Sequence, residues 1–116
     1  MSHLSTQDLI DSLSRGAVAF EMVMQTIDAE YEFTPTRFTN GDAVNESGTN
    51  NGSCKIFAFA KLNGLDEQMT LNAFGDYYMV DVLQHPDNQD HQNIRNFMQT
   101  GWNGIEFDGV ALVKKA

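Results

Sequence analysis

The chain has 116 residues, of which 16 are acidic and 7 basic, so its formal net charge is −9. A chain of this length buries about two-thirds of its unfolded surface in a single core, so it needs no disulfide or metal to fold. The acidic excess repels nucleic acid and anionic membranes, which excludes both as expected partners. It either keeps the protein soluble, which is the simpler interpretation, or steers a basic or amphipathic partner surface.

Cys54 is the single cysteine, so the chain has no intramolecular disulfide and no multi-cysteine metal site. The first residues lack the apolar segment of a secretory signal, and no apolar run is long enough to cross a bilayer. We therefore expect a cytoplasmic protein.

The first third of the chain has the apolar periodicity of helices. Gly16 and its neighbouring serines are weak helix formers in the middle of this pattern, so we predict two helices, at about 6–14 and 18–30, with a break near Arg15-Gly16. The apolar residues recur at steps of three and four: Ile10, Leu13, Ala17, Phe20, Met24, Ile27 and Tyr31.

An extended segment follows the second helix. Pro35 stops helical continuation, and residues 32–39 have the Phe, Thr and Pro content of a short edge strand. Asn40-Gly41 is a favoured centre for a type I′ turn. This dipeptide predicts a hairpin in which residues 42–44 return beside residues 37–39.

Residues 53–63 are predicted to form a central, interior helix. Lys55 and Lys61 are its only charged residues, so most of its sides are apolar. Ser53 is the expected N-cap, and Gly64 the expected C-terminal cap.

Two more helices are predicted after the central one. Asp66 is expected to cap a helix over 66–79, and Asp90 to cap another over 90–100. Pro86 requires the first of these to end before His85.

The last segment is predicted to be a hairpin. Trp102 is expected to be buried against the central helix, and Asp108-Gly109 to turn residues 105–107 into residues 110–113. Together, these elements predict an α+β fold: a mostly helical single domain over 1–116 with a small antiparallel β-sheet.

Four segments of the chain match the pattern of a known family: FTPTRFTNG, NNGSCKIFAFAKL, FGDYYMVDVLQHP and DHQNIRNFMQTGWNGIEFDG. Between about Phe20 and Gly109 the chain resembles the HopJ type III effector family. The resemblance implies a small single-domain bacterial protein and a possible route out of the cell by type III secretion, with residues 1–19 as the signal. It carries no catalytic residues.

Cys54 has two interpretations. Near a helix start its thiolate is stabilised, and a histidine base would make it a nucleophile: His91 beside Asp90, or His85 beside Asp87. Phe57, Ala58 and Lys61 share its helical face, which is mostly apolar, and this favours a buried, unreactive thiol.

The loop before the central helix also has two interpretations. Residues 48–53 include Asn51 and Ser53, and their successive amides can cradle a small anion at a helix start. Alternatively, the asparagines and glycines only shape a turn and cap the helix. The spacing is not that of a phosphate-binding P-loop, so nucleotide hydrolysis is not indicated.

The segment from His85 to His91 contains metal-ligand residue types, but its spacing fits neither a histidine pair on one helix face nor a calcium loop. We therefore expect no metal and no cofactor. Arg95 lies one turn from His91, where it either binds an anionic ligand or pairs with an acidic residue of the fold.

Taken together, these patterns favour a small cytoplasmic protein that binds an unknown protein or a small anionic ligand. The alternative is a cysteine-dependent hydrolase or transferase using Cys54 with a histidine base. The two differ in whether the thiol is accessible and within hydrogen-bond reach of an imidazole.

Overall fold

The computed structural model describes residues 4–115, which fold into an α+β arrangement of helices around two small antiparallel sheets. None of its helices is long and apolar enough to span a membrane. In chain order, the elements are α1 (Thr6–Leu13), α2 (Phe20–Glu30), β1 (Tyr31–Phe33), β2 (Phe38–Asn40), β3 (Ala43–Asn45), α3 (Asn51–Leu62), α4 (Glu67–Asn72), a π-helical turn (Tyr77–Val82), α5 (Gln92–Thr100), a 3₁₀ turn (Gly101–Gly104), β4 (Ile105–Phe107) and β5 (Leu112–Lys114).

The two predicted N-terminal helices are confirmed, as is the break between them. Ser5 caps α1 by accepting a hydrogen bond from the Asp8 N–H at 3.1 Å. Leu9 and Leu13 are fully buried, so α1 is part of the core. Gly16 lies in the break with a φ of +159°, which is extended backbone.

One antiparallel ribbon joins the middle of the chain to its C-terminal end. β1 pairs with β5 and β2 with β4, and both ladders keep the same register: Tyr31 lies opposite Lys114, and Phe38 opposite Phe107. Between the ladders, the Thr34 N–H still donates to the Ala111 carbonyl at 2.8 Å. The two sheets are therefore parts of one ribbon that bends near Pro35.

The predicted hairpin at Asp108-Gly109 is wrong, because β4 and β5 do not pair with each other. The Asp108 N–H donates to the Arg37 carbonyl at 3.0 Å, and an Arg37–Asp108 ion pair at 3.2 Å supports this contact from the side chains. Residues 108–111 therefore continue along the ribbon in the same direction as β4. They do not form a turn that would pair β4 with β5.

The hairpin after β2 is present, but its turn lies one residue later than predicted. Asn40 pairs with Ala43, so the two turn residues are Gly41 and Asp42. Gly41 has a φ of +59°, and a glycine at the first turn position is the pattern of type II′ turns.

Helix α3 is central and buried, as predicted. Gly64 follows its end with a φ of +66°, and the Leu65 N–H donates to the Ala60 carbonyl at 3.0 Å, which is a Schellman ending. Phe57 is the hub of the aromatic core, and its ring contacts four others: Phe38, Phe74, Phe97 and Trp102.

Trp102 packs against α3 as expected but is only half-buried. Its ring meets Phe57 edge-on at 6.4 Å and Phe97 at 5.1 Å between centroids. The indole N–H donates to the Leu65 carbonyl at 3.1 Å, so the polar end of the ring is also satisfied.

The predicted helix over 66–79 is wrong beyond Asn72. Asp66 does cap α4, accepting from the Met69 N–H at 2.8 Å. Gly75 then takes a φ of +60°, which ends regular helix, and the chain continues as the π-helical turn. The cause is tertiary, because the backbone of residues 18–20 packs directly against Gly75.

We predict that Gly75→Ala destabilises the fold more than Gly64→Ala does. Both glycines have positive φ, so each alanine carries a conformational cost of about 1–2 kcal/mol. A Cβ at Gly75 would also lie 2.7 Å from the Val18 carbonyl oxygen, whereas nothing lies within 4 Å of one at Gly64. The steric overlap adds about 1–3 kcal/mol to the Gly75→Ala effect.

Urea unfolding of the two variants measures this difference. Equal losses of stability in the two variants would contradict the packing of residue 75 against residues 18–20.

Candidate functional site

A cleft of about 530 Å³ opens between the starts of α3 and α5. The loop over 45–53 and the segment over 85–95 converge here, so two regions that the sequence marked separately share one site. The cleft is lined by Phe20, Ala43, Val44, Asn45, Asn50, Gly52, Ser53, Phe74, Tyr77, His91, Gln92, Asn93 and Ile94.

Both helices begin in the same unusual way. Asn50 precedes α3 with a φ of 50°, and His91 precedes α5 with a φ of 51°; no other non-glycine residue in the described chain has a positive φ. Neither residue caps its helix with a side-chain hydrogen bond. Within residues 4–115, no side-chain acceptor meets the N–H groups of Asn51, Gly52, Ser53, Gln92 or Asn93 in the first turns of these helices.

Two predicted N-caps are therefore wrong. Helix α3 starts two residues before Ser53, because Asn50 adopts the left-handed conformation that asparagine tolerates well. Asp90 does not cap α5, because its carboxylate accepts instead from Arg95 at 2.8 Å.

Asparagine side chains hold the two helix starts together, and all of them but Asn50 are buried. The Oδ1 of Asn45 accepts from Asn50 Nδ2 at 2.6 Å and from Asn93 Nδ2 at 2.9 Å. Asn45 Nδ2 returns a bond to Asn93 Oδ1 at 3.1 Å, and Asn40 Nδ2 donates to the Asn93 carbonyl at 2.7 Å. We call Asn40, Asn45, Asn50 and Asn93 the asparagine network.

Aromatic rings form the opposite wall of the cleft. The Tyr77 ring meets the Phe20 ring edge-on, with 5.1 Å between their centroids. The centroid of the Tyr77 ring lies 5.3 Å from that of His91. His91 Nε2 is 3.0 Å from Asp81 Oδ2, whereas Asp90 is 3.9 Å away. The carboxylate that orients this imidazole is therefore Asp81 and not the predicted Asp90.

Cys54 does not line the cleft. Its side chain is 1% exposed, and Sγ donates to the Thr36 carbonyl at 3.6 Å. Burial raises the pKa of the thiol above its usual value. No hydrogen bond joins Cys54 to an imidazole in residues 4–115.

Arg95 anchors the segment before α5. It donates to the backbone carbonyls of Asp81, Pro86 and Asp90 and to the Asp90 carboxylate. The Arg95 hydrogen bond lowers the pKa of Asp90. Arg95 thus pairs with an acid of the fold, the second of the two roles that the sequence left open.

The remaining candidates lie outside the cleft lining. Asn51 and His85 are both exposed, Asn51 in the first turn of α3 and His85 in the turn before Pro86. Among the residues that the structure describes, no three His, Cys, Asp or Glu side chains are grouped so that they could hold a metal ion.

Of the candidate site residues named from the sequence, Ser53 and His91 line the cleft and the others do not. Asn45, Asn93 and Tyr77 were missed. Asn45 and Asn93 are buried amides in a chain with many exposed ones, and nothing in the local sequence distinguishes them. Tyr77 falls within the predicted helix over 66–79, and its residue type did not mark it as part of a site.

Fold and cleft together define a small α+β protein with an open site between two helix starts. The family described as HopJ type III effector protein matches residues 6–112, so the chain belongs to that family. A crystal structure of a protein of unknown function, VPA0580, is 51% identical, with a TM-score of 0.94 over 98% of this chain and 97% of that one. No curated protein matches the chain.

We predict that the Cys54 thiol reacts with a disulfide reagent far more slowly in the folded protein than after denaturation. The side chain is 1% exposed and its raised pKa keeps the thiol protonated, so both access and thiolate fraction are low. Absorbance at pH 8, with and without denaturant, follows the reaction. Equal rates in the two conditions would show that Cys54 is accessible in the native protein.

Proposed function

We propose that the protein is a binding protein whose cleft takes a small ligand carrying an anionic group. The observation that carries this proposal is the opening of two helix N-termini into one cleft. Each terminus presents free N–H groups and the positive end of a helix dipole, and these favour a negative charge between them.

The donors are backbone amides on two different helices. Gly52 and Ser53 lie in the first turn of α3, and Gln92 and Asn93 in the first turn of α5. All four line the cleft, and none of their N–H groups has an acceptor in the described part of the chain. The asparagine network fixes the two sets of amides relative to each other, so the donors are pre-organised.

The walls suit the non-ionic part of a small ligand. The volume of about 530 Å³ falls within the range of ligand pockets, roughly 300–1,000 Å³. Phe20, Tyr77 and His91 offer ring faces and edges, which favour an aromatic or other planar group. The net charge of −9 opposes an approaching anion, so neutral amide donors must supply the recognition.

A cysteine-dependent hydrolase or transferase has less support. Its nucleophile would be Cys54, whose sulfur is buried and bonded to the Thr36 carbonyl. Its base would be His91, which faces the cleft and is paired with Asp81. Family membership brings no catalytic residue to either position.

We also propose that the protein is cytoplasmic in the cell that makes it, with type III secretion as the route suggested by its family. Leu9 and Leu13 of α1 are fully buried, so a secretion signal within residues 1–19 would act only after α1 leaves the core. Residues 1–3 of that segment lie outside the described structure.

Phenyl phosphate, with phenol as its neutral counterpart, tests the cleft as an anion site. We expect phenyl phosphate to cause saturable shifts of the Gly52, Ser53, Gln92 and Asn93 amide resonances in nitrogen-15 NMR spectra. Phenol is expected to bind at least about tenfold more weakly, because it lacks the charge that the helix termini attract.

Two variants of equal charge provide the control. Ser53→Glu places a carboxylate among the cleft amides and is expected to abolish the shifts, while Ser47→Glu adds the same charge on an exposed loop and is expected to keep them. Equal responses to phenyl phosphate and phenol, equal effects of the two variants, or no saturable shift at these amides would overturn the proposal.

A further inference from the structure

A second hollow, of about 350 Å³, lies between the last turn of α3 and the segment from Phe107 to Leu112. Its volume falls within the range of small-ligand pockets, roughly 300–1,000 Å³. It shares no lining residue with the cleft between the two helix starts. We call it the C-terminal hollow.

The floor of the C-terminal hollow is part of the hydrophobic core. Ala58, Ala111 and Leu112 line it, and all three are buried members of the core. The two alanine side chains end at Cβ, so they leave open the space that larger residues would fill. The packing of the whole fold therefore keeps this apolar floor in place before any ligand arrives.

Two exposed apolar side chains flank this floor. Val110 is 71% exposed and Leu62 57%, and both line the C-terminal hollow. An alkyl group lying between them would remove apolar surface from water on three sides, and the gain is roughly proportional to the area covered. The apolar part of the hollow thus suits an aliphatic ligand.

Lys61 gives the C-terminal hollow a positive charge in an otherwise acidic protein. The lining contains no carboxylate, although acids outnumber bases by 16 to 7 in the chain. Lys61 makes no ion pair within residues 4–115, and its Nζ lies 5.7 Å from the centre of the Phe107 ring. That ring attracts the ammonium group and keeps it beside the hollow, where it is available to an anion.

We propose that the C-terminal hollow binds a small amphipathic carboxylate with an aliphatic tail, as in a medium-chain fatty acid. The tail lies on the core floor between Leu62 and Val110, and the carboxylate meets Lys61 Nζ. Burial of the tail supplies most of the affinity, because an ion pair at an exposed lysine contributes little. Lys61 decides which sign of charge the ligand carries.

This site differs from the cleft of the proposed function in its ligand. In the cleft, neutral backbone amides meet the anionic group and aromatic rings meet the rest of the ligand. In the C-terminal hollow, a lysine meets the anionic group and the apolar lining is aliphatic apart from Phe107. A second copy of the chain is a poorer occupant, because two copies that each carry a net charge of −9 repel each other.

Octanoate tests the proposal, with octan-1-ol as its neutral counterpart and octylammonium as the cation of equal tail length. Carbon-13 NMR of the full chain follows the methyl resonances of Leu62 and Val110 at pH 7. We expect saturable shifts with octanoate and about threefold weaker binding of octan-1-ol, which loses only an exposed ion pair. Octylammonium is expected to bind at least about tenfold more weakly than octanoate, because repulsion replaces attraction.

A substitution at Lys61 tests the role of the charge. Lys61→Met keeps a long apolar side chain and removes the ammonium group, so it is expected to weaken octanoate binding about threefold and to leave octan-1-ol binding unchanged. Arg15→Met removes a positive charge from an exposed position that does not line the C-terminal hollow, and we expect it to change neither affinity.

A substitution at Val110 tests the role of the apolar flank. Val110→Asp places a carboxylate beside Lys61 and is expected to abolish binding of both octanoate and octan-1-ol, as followed at Leu62. Val80→Asp makes the same change on an exposed valine of the π-helical turn and is expected to bind both as the unchanged protein does.

Three outcomes would overturn the proposal: no saturable shift at the Leu62 and Val110 methyl groups, equal affinities for octanoate and octylammonium, or equal effects of Lys61→Met and Arg15→Met. Octanoate shifts confined to the Gly52 and Gln92 amides would place this ligand in the cleft, which overturns the present proposal and leaves the proposed function standing. Sedimentation showing a dimer that Val110→Asp dissociates would assign the hollow to a second copy.

Discussion

The side-chain amide of Asn45 is the contact on which the site depends. It lies at the end of β3, 3% exposed, and its oxygen accepts from the residue before α3 and from the first turn of α5. The consecutive elements β3 and α3 are thereby fixed to α5, which lies far along the chain from both. Buried amides of this kind stabilise only when fully paired, since an unpaired one costs about 1–3 kcal/mol.

Side-chain hydrogen bonds also hold the left-handed residue at which each helix starts. Asn50 and His91 each carry a conformational cost on the order of 1 kcal/mol, and no side chain caps the helices they precede. Hydrogen bonds from Asn50 to Asn45, and from His91 to Asp81, hold these residues in place. The result is two uncapped helix starts whose first-turn residues line one cleft. A conventional serine or aspartate cap would have occupied some of their N–H groups.

Sequence predicted the parts of the fold that local chemistry decides. The break near Gly16, the Asp66 cap and the Gly64 ending depend on residues a few positions apart, and all three are confirmed. The caps at Ser53 and Asp90 failed because other side chains nearby in sequence decide those positions: Asn50 bonds to Asn45, and Asp90 to Arg95, each pair five residues apart. The Asp108-Gly109 hairpin failed for a long-range reason, since the partners of β4 and β5 lie within residues 31–40.

The residues of the candidate site were also predicted only in part. Ser53 and His91 were found because helix starts and histidines are visible in sequence. Their convergence on one cleft, and the roles of Asn45 and Asn93, arise from pairing between β3 and two helices. Cys54 was a candidate nucleophile because cysteine is a reactive residue type. The structure buries it under the ribbon, so it belongs to the core.

Amide hydrogen exchange in Asn45→Ala tests the coupling of the two helix starts most directly. The amides to follow are those of Cys54 and Arg95, which donate to the carbonyls of Asn50 and His91 respectively. We expect both to exchange faster in Asn45→Ala, with a loss of stability of about 2–3 kcal/mol, and neither to change in the exposed control Asn103→Ala. Faster exchange at Cys54 alone, with Arg95 unchanged, would contradict the claim that Asn45 joins the two helices.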